Sequence, residues 1–408
     1  MVRIGCNQRS TFRKRFMTIC KTLVRLTTTT NVALAATFLS LPALQAEEKA
    51  KQPFAGKLLV DGLNGHQVAA KPLLDYPTSF AIDEKGRFYV VESPRLKDGS
   101  IIDIRNMRQF TLKDFTLQTV EERREMLLAD STKDKYARNS ERIALLEDSD
   151  GNGFPDKRHD YVVDGMGNAE DGLAFSALTY DNKVFLTCIP HVWKFEDLNG
   201  DGKADTKEKL LSGFGVTVSM MGHDMHGIVR GPDGRLYWSI GDRGFNVLSK
   251  EGVRFKAPSR GAIFRSEPDG SKMEVFFHGL RNPQEIAFDE FGNLMTFDNT
   301  GDFGDIARVV YAMEGGDAGW YKEHQAAHQY KWAFPDNDVM TSKSRWTEEN
   351  MFRPDMDDQP QWTLPPVMNF QNGPSGIVYA AGESMPDSIK GSFLVCNYRG
   401  GSDQSGIL

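Results

Sequence analysis

One recurring pattern limits what this chain can fold into more than any other feature. An apolar strand runs into a polar turn carrying Asp or Gly and returns as a second apolar strand. Copies run from Ser79 to Val91, Ala174 to Leu186, Gly227 to Trp238 and Glu285 to Phe297; a looser fifth joins Ser375–Gly382 to Gly391–Val395. Turns such as Asp83-Glu-Lys-Gly86 and Pro232-Asp-Gly234 supply the positive φ that a tight reversal needs. The flanking β-branched and aromatic residues suit strands. The units start roughly 50 to 95 residues apart, longer than a bare four-stranded blade needs. The excess falls in a charged, helix-patterned insertion at 98–140 and a polar, aromatic stretch at 321–362. Within the first, Thr119-Val-Glu-Glu122 reads as a capping box opening a helix over Glu121 to Ala129. The expected fold is all-β: a six-bladed β-propeller over residues 47–408, about five blades being present, with short helical insertions and calcium loops. An antiparallel sandwich with similar turns is the competing fold. Five hairpins in a six-bladed design predict an open ring whose C-terminal part lies past residue 408. The 57–62 and 392–398 strands would then face solvent across a gap. A closed five-bladed ring, or a blade hidden in an insertion, is the alternative.

Residues 1–46 hold seven basic residues, from Arg3 to Arg25, and no acidic one. The apolar run from Val32 to Leu41 follows, then Leu44-Gln-Ala46 before Glu47, which is the layout of a secretory signal peptide. The run is short for a membrane anchor. The expectation is a secreted or periplasmic protein. Loss of the leader takes the net charge from −7 to −14. A domain so acidic, with no Lys/Arg stripe, repels phosphate backbones, so nucleic acid is excluded as a partner. Cys188 and Cys396 remain, each in an apolar run; a disulfide and two buried hydrophobes are both open.

Two segments have the spacing of a calcium loop. The first offers Asp148, Asp150, Asn152, the Phe154 carbonyl and Asp156; the second Asp197, Asn199, Asp201, the Lys203 carbonyl, Asp205 and Glu208. Ca2+ wants six to eight oxygens, and alternate side chains on a tightly curved loop supply them. Position 12 is Glu208 in the second loop and His159 in the first, so the second is the fuller set. Strand-like runs flank both, so the loops read as clips between strands. Solvated acidic turns are the plainer reading.

His223 and His226 stand in Gly222-His-Asp-Met-His-Gly227, just before a strand expected to line the central channel. Histidine is the natural general base near neutral pH, and equally a satisfied structural residue. His278-Gly-Leu-Arg-Asn-Pro-Gln284 gathers Arg281, Asn282 and Gln284 in one turn. These donors, with one fixed positive charge, suit a polar, anionic or quinonoid ligand; they would also serve to cap the loop.

Together, His223, Gly231-Pro-Asp-Gly-Arg-Leu-Tyr237, Gly241-Asp242, Gly279-Leu-Arg-Asn-Pro-Gln284 and Gly315-Gly-Asp-Ala-Gly-Trp320 resemble the soluble glucose/sorbosone dehydrogenase family. Its members are six-bladed propellers that bind pyrroloquinoline quinone (PQQ) and calcium. The acidic loops and the leader look like a branch of planctomycete-type secreted proteins described as membrane-bound dehydrogenases. The resemblance runs from about residue 58 to the end. It implies His223 as catalytic base, Arg281 and Asn282 on the quinone, Arg399 as a further cofactor contact, and backbone carbonyls near Thr300 and Gly301 on an active-site calcium. The chain departs from sugar-oxidising members at Gly222, where they carry an acidic residue; here Asp224 follows the base instead. The implied reaction is hydride transfer from a sugar or related alcohol to PQQ, with His223 taking the hydroxyl proton and Arg281 polarising the quinone carbonyl. Electrons would pass to an acceptor such as a cytochrome c. The rival readings are a non-catalytic, calcium-stabilised propeller that binds glycans or a protein partner, and a calcium-dependent hydrolase.

Overall fold

The structure, a computed structural model, describes residues 2–6 and 63–408 apart from 132, 137, 165, 167–171, 302–305, 324–329, 334–365, 371, 372 and 402. The 57–62 strand, most of the leader and most of the 321–362 stretch thus lie outside the described residues. Two units are distinguished. The smaller comprises residues 1–73, 147–157 and 380–392. In it β1 (Val2–Cys6) pairs antiparallel with β2 (Leu63–Gln67).

The larger unit carries five blades, as the hairpin pattern predicts. Blade 1 is β3 (Pro77–Ile82), β4 (Phe88–Glu92), β5 (Arg142–Glu147) and β6 (Lys157–Val162), in that order. Blade 2 is β7 (Ala174–Tyr180), β8 (Lys183–Cys188), β9 (His191–Glu196) and β10 (Thr206–Ser212). Blade 3 runs β11 (Met225–Arg230), β12 (Leu236–Ile240), β15 (Gly261–Ser266), β16 (Glu274–Leu280), with the hairpin β13 (Phe245–Leu248)–β14 (Arg254–Ala257) looped out of it. A short β20 (Gly316–Asp317) adds parallel to β16. Blade 4 is β17 (Pro283–Phe288), β18 (Leu294–Asp298), β19 (Ala307–Tyr311) and β21 (Met368–Phe370). Blade 5 is β22 (Pro374–Tyr379), β23 (Phe393–Asn397) and β24 (Gly406–Ile407).

The two-residue alternation of each strand decides the packing. Val184 and Leu186 face Tyr89 and Val91 of blade 1, while Phe185 between them faces Met225 and Trp238 of blade 3. Tyr237 in turn packs toward Ile286 and Leu294, and Phe297 toward Ile377 and Val395. The inner strands follow one another as β3, β7, β11, β17, β22, and among the described residues β22 has no packing on β3 of comparable extent. Hydroxyls tie each blade to the next. Thr78 Oγ1 donates to the Ala174 carbonyl at 2.7 Å, Ser176 Oγ accepts from Ile228 N at 3.0 Å, and Ser239 Oγ donates to the Pro283 carbonyl at 3.0 Å. Gly227 has φ +61°, and a Cβ there would meet Ile286 N at 2.7 Å, so glycine lets β11 and β17 approach.

Glu285 on β17 reaches two other inner strands, with Ser176 Oγ at 3.5 Å and the Ile377 amide donating to its carboxyl. Burial pushes this carboxyl up to about 7. A raised folded-state value means that the fold prefers the neutral acid. Glu285 therefore contributes fully below about pH 4.5, and its contribution is lost as pH rises toward 7. Glu141, also raised to about 7 by burial against the pull of Arg95, adds a second slope of the same sign. Glu285→Gln is expected to make the fall of melting temperature across that window shallower. An unchanged slope would show that Glu285 does not bridge these strands.

The insertion begins earlier than the sequence suggests, with α1 (Pro94–Asp98), then α2 (Thr111–Thr116), α3 (Val120–Leu128) and α4 (Lys133–Tyr136). Thr119 caps α3, accepting from Glu122 N at 3.1 Å; Glu122 closes on the Gln118 amide at 2.6 Å, one residue before the expected partner. Ile102, Ile104, Leu117 and Leu127 bury themselves against Val216, Val218, Met220 and Tyr330. Among the described residues no helix is long and apolar enough to cross a membrane.

Candidate active site

The strand ends bring polar side chains together. In four blades the second strand closes on a buried polar residue: Glu92, Asp242 (two residues past β12), Asp298 and Asn397. Asp242 is fully buried and holds His223, whose Nδ1 lies 2.7 Å from Asp242 Oδ1. The same Oδ1 accepts from Ser219 Oγ at 2.9 Å, and Oδ2 accepts from Trp320 Nε1 at 3.0 Å. Burial alone would raise this carboxyl, but the His223 ring, with Arg281 and Lys322 behind it, holds it down at about 2. An ionised Asp242 fixes the imidazole with Nδ1 as donor and leaves Nε2 on the far side of the ring. Among the described residues Nε2 has no hydrogen-bond partner.

His226 is placed differently. Its ring packs on Phe175, centroids 4.6 Å apart, and Nε2 lies 2.9 Å from the Gly222 carbonyl oxygen. Burial pushes it down to about 4, so it is neutral and structural near pH 7. Gln284 Nε2 donates to the same Gly222 carbonyl at 2.9 Å, so Gln284 braces the His223 loop. Asp224 is fully buried; the nearest opposite charge, Arg243 Nη2, lies 3.6 Å away, and neither carboxyl oxygen has a hydrogen bond.

Asp298 organises the next blade. Its carboxylate accepts the Arg281 amide at 3.0 Å and the Asn282 amide at 2.7 Å, and pairs with Arg308. The Arg281 guanidinium lies 5.8 Å from the Trp320 ring centroid, which places it in the surroundings of the Asp242 pair. Asn282 is buried and its Oδ1 has no hydrogen-bond partner. Thr300 and Arg399 meet across a cleft of about 810 Å³ that Asn299, Asn369, Tyr398 and Gln404 also line. Gly301, next in the chain, is not among the lining residues.

The acidic loops close on themselves. Asp148 accepts from the Asn152 and Gly153 amides, Asp150 from Asn152, Asn152 Oδ1 from Phe154, and Asp156 from Ser149. In the second loop Asp197 takes the Gly200 and Gly202 amides, Asn199 the Asp201 amide, Asp201 the Lys203 amide, and Asp205 the Leu198 amide. Glu208 lies in β10, opposite Lys194, and its carboxylate pairs with that lysine at 2.7 Å. Among the described residues no three His, Cys, Asp or Glu side chains are disposed to hold a metal. Cys188 and Cys396 form no disulfide among the described residues.

A model of the domain family of unknown function DUF7133 matches residues 58–400. The chain belongs to this family. The DUF7133 match spans blades 1 to 4 and the first two strands of blade 5, and takes in His223, Asp242, Arg281, Asp298 and Arg399. Among curated proteins no relative matches the chain. Among solved structures, this DUF7133 chain is similar to the PQQ-bound aldose sugar dehydrogenase of Streptomyces coelicolor, at 16% identity over 88% of this chain and 86% of that one, TM-score 0.42. The soluble aldose sugar dehydrogenase of Escherichia coli, in its apo form, is 11% identical over 82% and 86%, TM-score 0.47. The PQQ domain of a pyranose dehydrogenase from Coprinopsis cinerea, in holo form, is 10% identical over 84% and 81%, TM-score 0.42.

Asp298, Ser219, Lys322 and Asp114, an α2 residue, were not singled out in the sequence, nor was Asp242 given a role. The signal for two of them was present: an acidic residue closing the second strand of a hairpin, where an apolar run should end in a turn.

Proposed function

We propose that this chain is a sugar or alcohol dehydrogenase of the quinone-dependent kind, with His223 as the general base. The observation that carries this reading is the His223–Asp242 pair: a buried, ionised carboxylate on Nδ1 and an Nε2 left open. Such a base takes the proton of a substrate hydroxyl as the carbon bearing it is oxidised. Arg281, its backbone fixed through Asp298, would present a guanidinium where negative charge develops, while the unpartnered Asn282 Oδ1 is an acceptor that suits a donor group of the ligand. The residue types fit PQQ, an anionic quinone: Arg281 and Asn282 would hold it beside the His223–Asp242 pair, and Arg399 would add a charge from the cleft that it lines with Thr300, a cleft that Arg281 and Asn282 do not line. When bound, PQQ supplies the two-electron oxidant, accepting the hydride that leaves the substrate carbon. A sugar or related alcohol is the substrate class, a cytochrome c the fitting acceptor, and secretion the fitting location. The test is reduction of a redox dye by the purified chain with PQQ, Ca2+ and a panel of sugars. Turnover that requires PQQ supports the reading. Its absence at saturating PQQ leaves a non-catalytic, glycan- or protein-binding propeller.

Calcium is the second part of this reading. The loop donors have the right chemistry, and Thr300 and Gly301 would add carbonyls. Binding requires the carboxylates to exchange their own backbone amides for the ion. An ion bound only by the folded state stabilises it by mass action, so chelation is expected to lower the melting temperature. Asp201→Ala should weaken that response more than Asp148→Ala. Identical melting with and without chelator would end the calcium part and leave the base untouched.

A further inference from the structure

The helical insertion does more than cover the blade ends: it holds the loop that ends at His223. Ser219, in that loop, has φ +46°, a left-handed backbone that a side chain other than glycine rarely adopts. Four contacts impose it. Asp114 on α2 accepts the Val218 amide at 2.6 Å and the Ser219 amide at 3.3 Å, while the Ile104 amide donates to the Ser219 carbonyl at 2.9 Å. Asp103 accepts the Met221 amide at 3.0 Å. The clamp is buried, and its charge is balanced by Lys322, whose Nζ lies 3.1 Å from Asp114 Oδ2. The product of this forced conformation is one hydrogen bond, Ser219 Oγ to Asp242 Oδ1, on the oxygen that also holds His223 Nδ1.

We propose that Ser219 is a positioning residue for the His223–Asp242 pair, held in its strained conformation by Asp114 and Lys322, so that the insertion completes the site. This rests on the reading of His223 as the base. Strain at a position that makes one contact with a functional pair is the usual mark of a conformation maintained for that contact. Two donors share one carboxylate oxygen, so the serine takes part of the negative charge that would otherwise stabilise the protonated imidazole. Lys322 already acts on Asp242 through its charge, and Asp114 offsets part of that field while their pair is intact. The other titratable and charged groups around the pair are Asp224, His226 and Arg243 of its own blade, Arg281 of the next, and Tyr330 of the cover.

Two substitutions should therefore move His223 in opposite directions. Ser219→Ala leaves Asp242 Oδ1 to the imidazole alone and raises the His223 titration midpoint. Asp114→Asn keeps a side-chain carbonyl for the Val218 amide, so the serine stays in place, but it leaves the Lys322 ammonium without its counter-charge and lowers the midpoint. A shift of about half a pH unit is expected in each case, the worth of one modest hydrogen bond. The measurement is an NMR titration of the histidine rings in the full chain, with His223→Gln identifying the signal. Ser219→Gly relieves the left-handed strain and should give the same upward shift as Ser219→Ala without loss of melting temperature. Should Asp114→Asn fail to fold, Lys322→Gln reads the same coupling with an upward shift. An unmoved midpoint in the serine variants, or shifts of the same sign from Ser219 and Asp114, would overturn the proposal. The titration needs neither substrate nor cofactor. A chain that never reduces dye yet shows opposed shifts loses the dehydrogenase reading and keeps the positioning one.

Discussion

His223→Ala is expected to lower turnover by about 10²–10⁴, the usual worth of a positioned acid–base group, and to cost some stability, since the buried Asp242 keeps its Ser219 and Trp320 donors but loses the imidazole. The imidazole is not a core residue: its Nδ1 meets Asp242, and no aromatic or aliphatic stack depends on it. His226→Ala should show the reverse pattern. That ring fills a buried space against Phe175 and ties down the Gly222 carbonyl, so its loss opens a cavity and costs stability. Gln284 still holds Gly222, and the His223 loop stays in register. Turnover of His226→Ala is therefore expected within about tenfold of the parent, well short of what loss of an acid–base group costs. Steady-state dye reduction and thermal melting of both variants decide the matter. A larger turnover loss at His226 than at His223 would assign the base to the other ring.

The blades were legible because a hairpin declares itself locally. Alternating apolar residues around Asp-Glu-Lys-Gly or Pro-Asp-Gly fix both strands and the turn between them, and all five such units became the inner strand pair of a blade. The helix at 120–128 was legible for the same reason, through its cap. The site was less so, because its geometry is made by contacts between residues far apart in the chain. His223 and Arg281 stand out as residue types, but Asp114 lies 104 positions from the amide it accepts at Val218. A carboxylate on a short, exposed-looking helix carries no local sign of burial. Gln284 shows the opposite error of emphasis: a polar side chain in a polar turn suggests a ligand contact, whereas its amide is used on the neighbouring loop. Glu208 likewise sits at the twelfth position of a loop pattern, but the β9–β10 ladder sets it across from Lys194, where a cross-strand ion pair is the nearest partner.

Asp298→Ala is expected to cost about 3–5 kcal/mol of folding stability, the usual penalty for breaking one side of a buried ion pair. The carboxylate is fully buried, pairs with the buried Arg308, and accepts the amides of Arg281 and Asn282. Its removal leaves a guanidinium in the interior without its counter-charge and two backbone donors without an acceptor. Arg308 keeps its bond to the Ala318 carbonyl at 3.2 Å, which does not offset a lost charge. The double variant Asp298→Ala with Arg308→Met removes the unpaired charge as well, so it should be more stable than the sum of the two single losses requires. Chemical denaturation of the four proteins gives the coupling directly. It also separates the two tasks of Asp298, since the double variant restores charge balance without restoring the acceptor for Arg281 and Asn282. Stability should recover in part while dye reduction stays low. A single-variant loss under about 1 kcal/mol, in the range of an exposed pair, or strict additivity of the two substitutions, would show that Asp298 does not anchor the Arg281–Asn282 turn through its bond to Arg308.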